Sequence, residues 1–176
     1  MSENLNNLLN EKIEEYKSKT TTSQKLQSDA AKYMPGGSTR TTQWMDPYPF
    51  YAKYAKEQHI TDVDGNSYLD FMINATSLIH GHAAPNIINA IKSQADIGTA
   101  YSAPTDGQTK LAKLITERTP SMETLRFTNS GTEATMMAIM AARAFTNKQK
   151  IAKFEGGYHG THDHVSISVG PKEADL

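Results

Sequence analysis

A chain of 176 residues with 18 basic and 19 acidic side chains carries a formal charge of −1, so it has no basic stripe to track a nucleic acid and implies no polyanion partner. It contains no cysteine, which excludes disulfides and thiolate metal sites. Nowhere do the ~18 successive apolar residues of a membrane span occur, and Met1-Ser2-Glu3-Asn4 has neither the basic region nor the apolar run of a secretory signal, so no membrane contact and a cytoplasmic location are expected.

Residues 1–22 are rich in Asn, Glu, Lys and Thr, with sparse apolar positions at Leu5, Leu8, Leu9 and Ile13, and any helix there should end at Thr20-Thr21-Thr22. A second helical segment is expected from Ser23 to Tyr33, broken by Pro35-Gly36-Gly37. Short strands are expected around Phe50 to Tyr54 and Ile60 to Val63. Asp64-Gly65-Asn66 then turns the chain into Tyr68 to Phe71, a hairpin-like small unit. After Pro85 the apolar Ile87, Ile88, Ile91 and Ala95 suit a helix, and after Pro104-Thr105-Asp106 the residues Leu111, Leu114 and Ile115 suit another. Strand and helix patterns then alternate to the end, the signature of α/β architecture, with no internal repeat.

The chemistry concentrates in this last part. Thr124 to Thr128 has β-branched and aromatic residues at strand spacing, and from Glu133 onward Ala134, Met137, Ala138, Ala141 and Phe145 recur with helical period. Ser130-Gly131-Thr132 therefore sits at a strand-to-helix turn. Unpartnered backbone N–H groups and the positive end of the helix dipole point out of such a turn, Gly131 permits close approach, and two hydroxyls add donors, so a phosphate is the natural guest. The alternative is that Ser130 or Thr132 only caps the helix, with Glu133 favouring the dipole. Lys150 to Phe154 reads as another short strand, and Gly156-Gly157 then presents Tyr158 and His159 at its carboxyl end, where ligands of open parallel sheets bind. Tyr158 can stack on a heteroaromatic ring whose phosphate the turn holds, or pack against its own loop.

These residues resemble the class III, fold-type I pyridoxal-phosphate aminotransferases, in the branch of glutamate-1-semialdehyde aminomutase and the β-amino-acid aminotransferases. The likeness runs from Tyr33 onward through Met34-Pro35-Gly36-Gly37-Ser38-Thr39-Arg40, Asp62-Val63-Asp64-Gly65-Asn66-Ser67-Tyr68-Leu69-Asp70, Gly81-His82-Ala83-Ala84-Pro85, Phe127 to Ala134 and Phe154 to Gly160. It implies an α/β fold: a small N-terminal α+β part over residues 1–74 and the first, incomplete part of a large parallel-sheet cofactor domain over residues 75–176. It also implies pyridoxal 5'-phosphate as cofactor, held at its phosphate by Ser130, Gly131 and Thr132, with Tyr158 stacked on the ring and His159 beside it.

Two further features follow from the resemblance. No lysine here stands in the context of the family's Schiff-base lysine, since Lys148, Lys150 and Lys153 flank a strand ahead of the aromatic loop. That lysine and the aspartate pairing with the pyridine nitrogen are expected beyond residue 176. The chain then reads as the N-terminal part of an enzyme and, alone, as catalytically inactive, ending in a strand from Val165 to Val169 and a polar loop. Arg40, after the Pro-Gly-Gly turn, is the candidate clamp for a substrate carboxylate, a bidentate task suited to a guanidinium. The alternative is a surface arginine paired with Asp46 or Asp29. Trp44 either walls the substrate pocket or packs beneath the small domain.

The activity implied is transamination between an amino acid and a 2-oxo acid in a homodimer with interfacial sites, Gly98 to Pro104 matching a loop that approaches the neighbouring subunit's cofactor. The aminomutase reaction is the alternative, and these motifs do not discriminate between the two. Readings from other classes are a metal-dependent hydrolase using His159, His162, Asp163 and His164, and a non-catalytic interaction module.

Overall fold

The computed structural model describes residues 3–170, and the chain divides into two compact units, residues 1–100 and residues 101–176. The first unit opens with two helices, α1 (Glu3–Lys19) and α2 (Thr21–Ala30). The threonine run ends the first helix as its composition predicts, but α2 begins at Thr21, two residues ahead of the expected start. Thr20 is the break. It is fully buried, its hydroxyl donates back to the Tyr16 carbonyl at 2.7 Å, and it lies 3.1 Å from the Tyr48 hydroxyl. With its hydroxyl turned back to the preceding turn, Thr20 accepts no bond from the next helix, and α2 has no side-chain cap from its own chain neighbour.

The cap comes from the hairpin instead. Strands β1 (Ala52–Lys56), β2 (His59–Asp62) and β3 (Ser67–Leu69) form an antiparallel sheet in that order, joined between β2 and β3 by the predicted Asp64-Gly65-Asn66 turn. Asp62 builds this turn: its buried carboxylate accepts from the backbone N–H of Asp64 (3.0 Å) and Asn66 (2.8 Å), the Asn66 amide (2.9 Å) and the Tyr68 hydroxyl (2.8 Å). The turn aims Asp64 at α2, where Oδ1 accepts from Thr22 N (2.6 Å) and Oδ2 from Ser23 N (3.0 Å) and Ser23 Oγ (2.7 Å). Desolvation alone would raise the Asp64 carboxyl, but the hydrogen bonds from Ser23 and Thr22 outweigh it and hold the value at about 2.

A depressed carboxylate stabilises the fold above its ordinary value and loses that contribution as pH falls. Asp64→Ala is accordingly expected to cost about 0.5–2 kcal/mol at neutral pH. Its effect should shrink between the ordinary aspartate pKa of ~3.9 and about 2. Hydrogen exchange at the Thr22 and Ser23 amides measures this directly, and protection unchanged at neutral pH would show that Asp64 is not the cap.

Past β3 the backbone does something the composition does not announce. The helical turn α3 (Ile73–Thr76) has positive φ at four successive residues, 39° at Ile73, 49° at Asn74, 53° at Ala75 and 69° at Thr76, none of them glycine. Left-handed backbone costs an L-residue roughly 1–2 kcal/mol, so other contacts must hold the turn. Asp70 is one: Oδ1 accepts from Met72 N (2.8 Å) and Ile73 N (2.9 Å), and Oδ2 lies 2.6 Å from His82 Nε2. His82 is in turn tied to the sheet's hairpin by paired backbone bonds with Glu57. The bond to His82 first, then the two backbone N–H groups, lower the Asp70 carboxyl below its ordinary value. Helix α4 (Pro85–Ala95) follows, with proline in its first turn as expected.

The second unit contains α5 (Asp106–Arg118) and α6 (Gly131–Thr146), both on expected segments. Its strands are a correction. Thr124–Thr128, Lys150–Phe154 and Val165–Val169 carry strand patterns but form no ladder among the described residues. One isolated parallel bridge joins Gly156 to Val169, and the Lys153 ammonium donates to the Ile167 carbonyl at 2.7 Å. The reason is physical: a parallel strand is defined by neighbours on its edges, and side-chain pattern cannot supply them. The apolar helix faces are uncovered in the same way. No residue of α4, α5 or α6 is buried, and Phe145 of the predicted apolar face is 92% exposed.

Candidate active site

Ser130 stands at the N-cap of α6 in extended backbone, and its Oγ accepts from Glu133 N at 3.2 Å. Glu133 reaches back to accept from Asn129 N at 2.8 Å. This reciprocal pair is a capping box displaced by one residue, so the plain-cap reading of Ser130 is realised for its oxygen. The hydroxyl hydrogen is not consumed by that bond. Thr132 repeats the arrangement, since its Oγ1 accepts from Thr161 N at 3.3 Å and keeps its own hydrogen. Among the described residues no acceptor meets the backbone N–H of Gly131 or Thr132. Two N–H groups and two hydroxyl donors thus crowd the positive end of a 16-residue helix, a donor set that fits a phosphate dianion.

The aromatic loop closes on this turn through a residue to which sequence reasoning assigned no role. Gly160 is buried with φ of +106°, and a Cβ there would lie 2.9 Å from both Cα and Oγ1 of Thr132. Only glycine lets the two backbones approach this closely. The contact brings the loop that carries Tyr158 and His159 against the N-terminal turn of α6. Tyr158 is 64% exposed. Thr135, one turn into α6, adds a second tie by donating to the His159 carbonyl at 2.8 Å. Neither Gly160 nor Thr135 stands out in composition, because the contacts span 28 and 24 positions in the sequence.

The histidines of the same loop do not gather. Among the described residues no three His, Asp or Glu side chains converge as metal ligands. His162 and His164 meet edge to face at 5.8 Å, and His164 Nε2 lies 3.3 Å from the Arg143 guanidinium. Arg40 and Trp44 belong to the first unit. The Arg40 backbone is held by Ser38, whose Oγ accepts from Arg40 N at 3.2 Å. Its guanidinium has no ion-pair partner among the described residues, and Asp29 pairs instead with Lys32 at 3.0 Å. Trp44 is half exposed.

Comparison with known proteins bears on this geometry. The sequence pattern of the family described as "Aminotransferase class-III" matches residues 41–175. Glutamate-1-semialdehyde 2,1-aminomutase of Methanocaldococcus jannaschii is 44% identical over 148 residues, covering 84% of this chain and 35% of that protein. The crystal structure of an omega-transaminase from Sphaerobacter thermophilus matches with TM-score 0.82 and 47% identity, over 88% of this chain and 36% of the other. A β-phenylalanine aminotransferase from Variovorax paradoxus matches with TM-score 0.86 and 35% identity, over 94% and 40%. The chain therefore spans about a third of the length of the relatives it matches. Its fold is part of the fold-type I transferase architecture, and class III enzymes use pyridoxal phosphate.

Proposed function

We propose, from the premise that this chain belongs to the class III aminotransferase family, that the full-length protein is an enzyme moving an amino group between an amino acid and a 2-oxo acid with pyridoxal phosphate. The observation carrying the proposal is the donor turn Ser130–Thr132 closed by Gly160. Ser130, Gly131 and Thr132 would hold the cofactor phosphate, Tyr158 would cover the ring and His159 would lie beside it. When bound, the cofactor supplies an electron sink for charge developing at the substrate carbon. The turn's part is to anchor that ring at a fixed position, and the loop's part is to keep water from its face. The lysine that carries the cofactor belongs, on this reading, to residues outside this chain, which alone is inactive.

The M. jannaschii relative supports a second reading, the aminomutase, in which the amino group returns to a neighbouring carbon of the same substrate. Incubating the full-length protein with a β-amino acid plus 2-oxoglutarate, and separately with glutamate 1-semialdehyde, separates them. Glutamate formed in the first mixture supports transamination, and 5-aminolevulinate in the second supports the mutase. A homodimer with interfacial sites, a cytoplasmic location and the division at residues 74 and 75 complete the proposal. Their support is the family resemblance; separately, no helix among the described residues is long and apolar enough to cross a membrane.

Arg40 provides a prediction about substrate. With no ion pair occupying its guanidinium among the described residues, Arg40→Ala should lower kcat/KM for amino acids by about tenfold to a hundredfold, the worth of a charge-assisted bond. Amines lacking a carboxylate should be hardly affected, and the absorbance of the bound cofactor should stay unchanged. Equal losses for both substrate types would assign Arg40 to structure.

A further inference from the structure

We propose that Thr135 is the positioning residue that fixes the aromatic loop to the phosphate turn, and that His162 orients its hydroxyl for that purpose. The inference rests on the cofactor reading above and adds to it a residue pair outside the phosphate and ring contacts. Thr135 Oγ1 has four neighbours in reach: the Gly131 carbonyl at 3.1 Å, the Thr132 carbonyl at 3.0 Å, the His159 carbonyl at 2.8 Å and His162 Nε2 at 3.2 Å. A hydroxyl has one hydrogen to give. The Gly131 and Thr132 carbonyls belong to the helix, which already offers them N–H partners one turn on. The His159 carbonyl is nearest and meets no other donor among the described residues.

Spending the hydrogen on His159 leaves the oxygen of Thr135 as an acceptor, and His162 Nε2–H is the donor within reach. The other ring nitrogen agrees. His162 Nδ1 is buried and has no partner, and a bare lone pair is tolerated there more readily than an orphaned N–H. The tautomer with hydrogen on Nε2 satisfies both conditions. One hydroxyl thus receives from one end of the 159–162 loop and donates to the other, and it sits one turn beyond Gly131 and Thr132. It sets the separation between the residues placed on the ring and those placed on the phosphate.

The test uses the full-length apoprotein and three measurements: the dissociation constant for pyridoxal phosphate, the circular dichroism induced in the bound cofactor's visible band, and the melting temperature without cofactor. Thr135→Val keeps the shape and removes the hydroxyl; Thr135→Ser keeps the hydroxyl. The expected result is about tenfold weaker binding and reduced induced dichroism for Thr135→Val, near wild-type values for Thr135→Ser, and similar apoprotein melting for all three. Wild-type binding and dichroism in Thr135→Val would overturn the inference alone. So would losses that track a lowered apoprotein melting temperature and are not rescued by Thr135→Ser, since those describe mere packing. A wild-type protein that takes up no cofactor would overturn the cofactor reading and this inference together.

Discussion

Replacing Ser130 and Thr132 together by alanine is expected to weaken pyridoxal phosphate binding to the full-length protein by about a hundredfold or more. Each hydroxyl retains a hydrogen to donate because its oxygen is already occupied by a backbone N–H, from Glu133 in one case and Thr161 in the other. A donor to a charged partner is worth about 1.5–3 kcal/mol, and two such losses compound. Ser130 also caps α6, so part of any effect could pass through helix stability. Ser130→Gly separates the two, since glycine caps nearly as well as serine but has no hydroxyl. Fluorescence titration of the apoprotein gives the affinities, and a double variant that binds as tightly as wild type removes the phosphate from this turn.

The second large effect is expected at Gly160. Alanine there must accept φ of +106°, a conformation that costs about 1–3 kcal/mol, and must place its Cβ 2.9 Å from the Thr132 Cα. Backbone cannot yield as the tip of a side chain does, so the loop has to lift from the turn. Gly160→Ala should therefore lower cofactor affinity by more than about a hundredfold and leave the first unit's helices unaffected. Gly131→Ala is the informative comparison, because a Cβ at that position meets nothing within 4 Å. A loss at Gly131 reports on what approaches from outside; a loss at Gly160 reports on the protein's own closure. Unaltered binding by Gly160→Ala would mean that the loop and the turn need not touch for the site to work.

What could be read from the sequence was local. Asp64-Gly65-Asn66 turned where its composition placed it, Pro85 opened α4, and the Ser-Gly-Thr turn stood at the start of α6. The family and fold were legible too, because motif order survives without knowledge of contacts. What escaped was set by distance along the chain. The cap of α2 comes from an aspartate 42 positions away from Thr22, and no propensity scale can see it. The left-handed turn at Ile73–Thr76 contains no glycine to betray it, since Asp70 and His82 hold it from outside. The strands of the second unit were legible as patterns but not as ladders, because pairing is a property of neighbours.

The extended segments that find no ladder have a consequence for how such a protein is made. At roughly 5–20 residues per second, a nascent chain that must add about a hundred further residues before such segments find partners waits on the order of five to twenty seconds. During that interval Thr124–Thr128 and Lys150–Phe154 offer open hydrogen-bonding edges beside apolar helix faces, the combination that invites strand addition by another nascent chain. Yield in a cell then depends on whether these edges are paired within their own chain before another chain reaches them, and slower translation at lower temperature helps only if association slows more than elongation does.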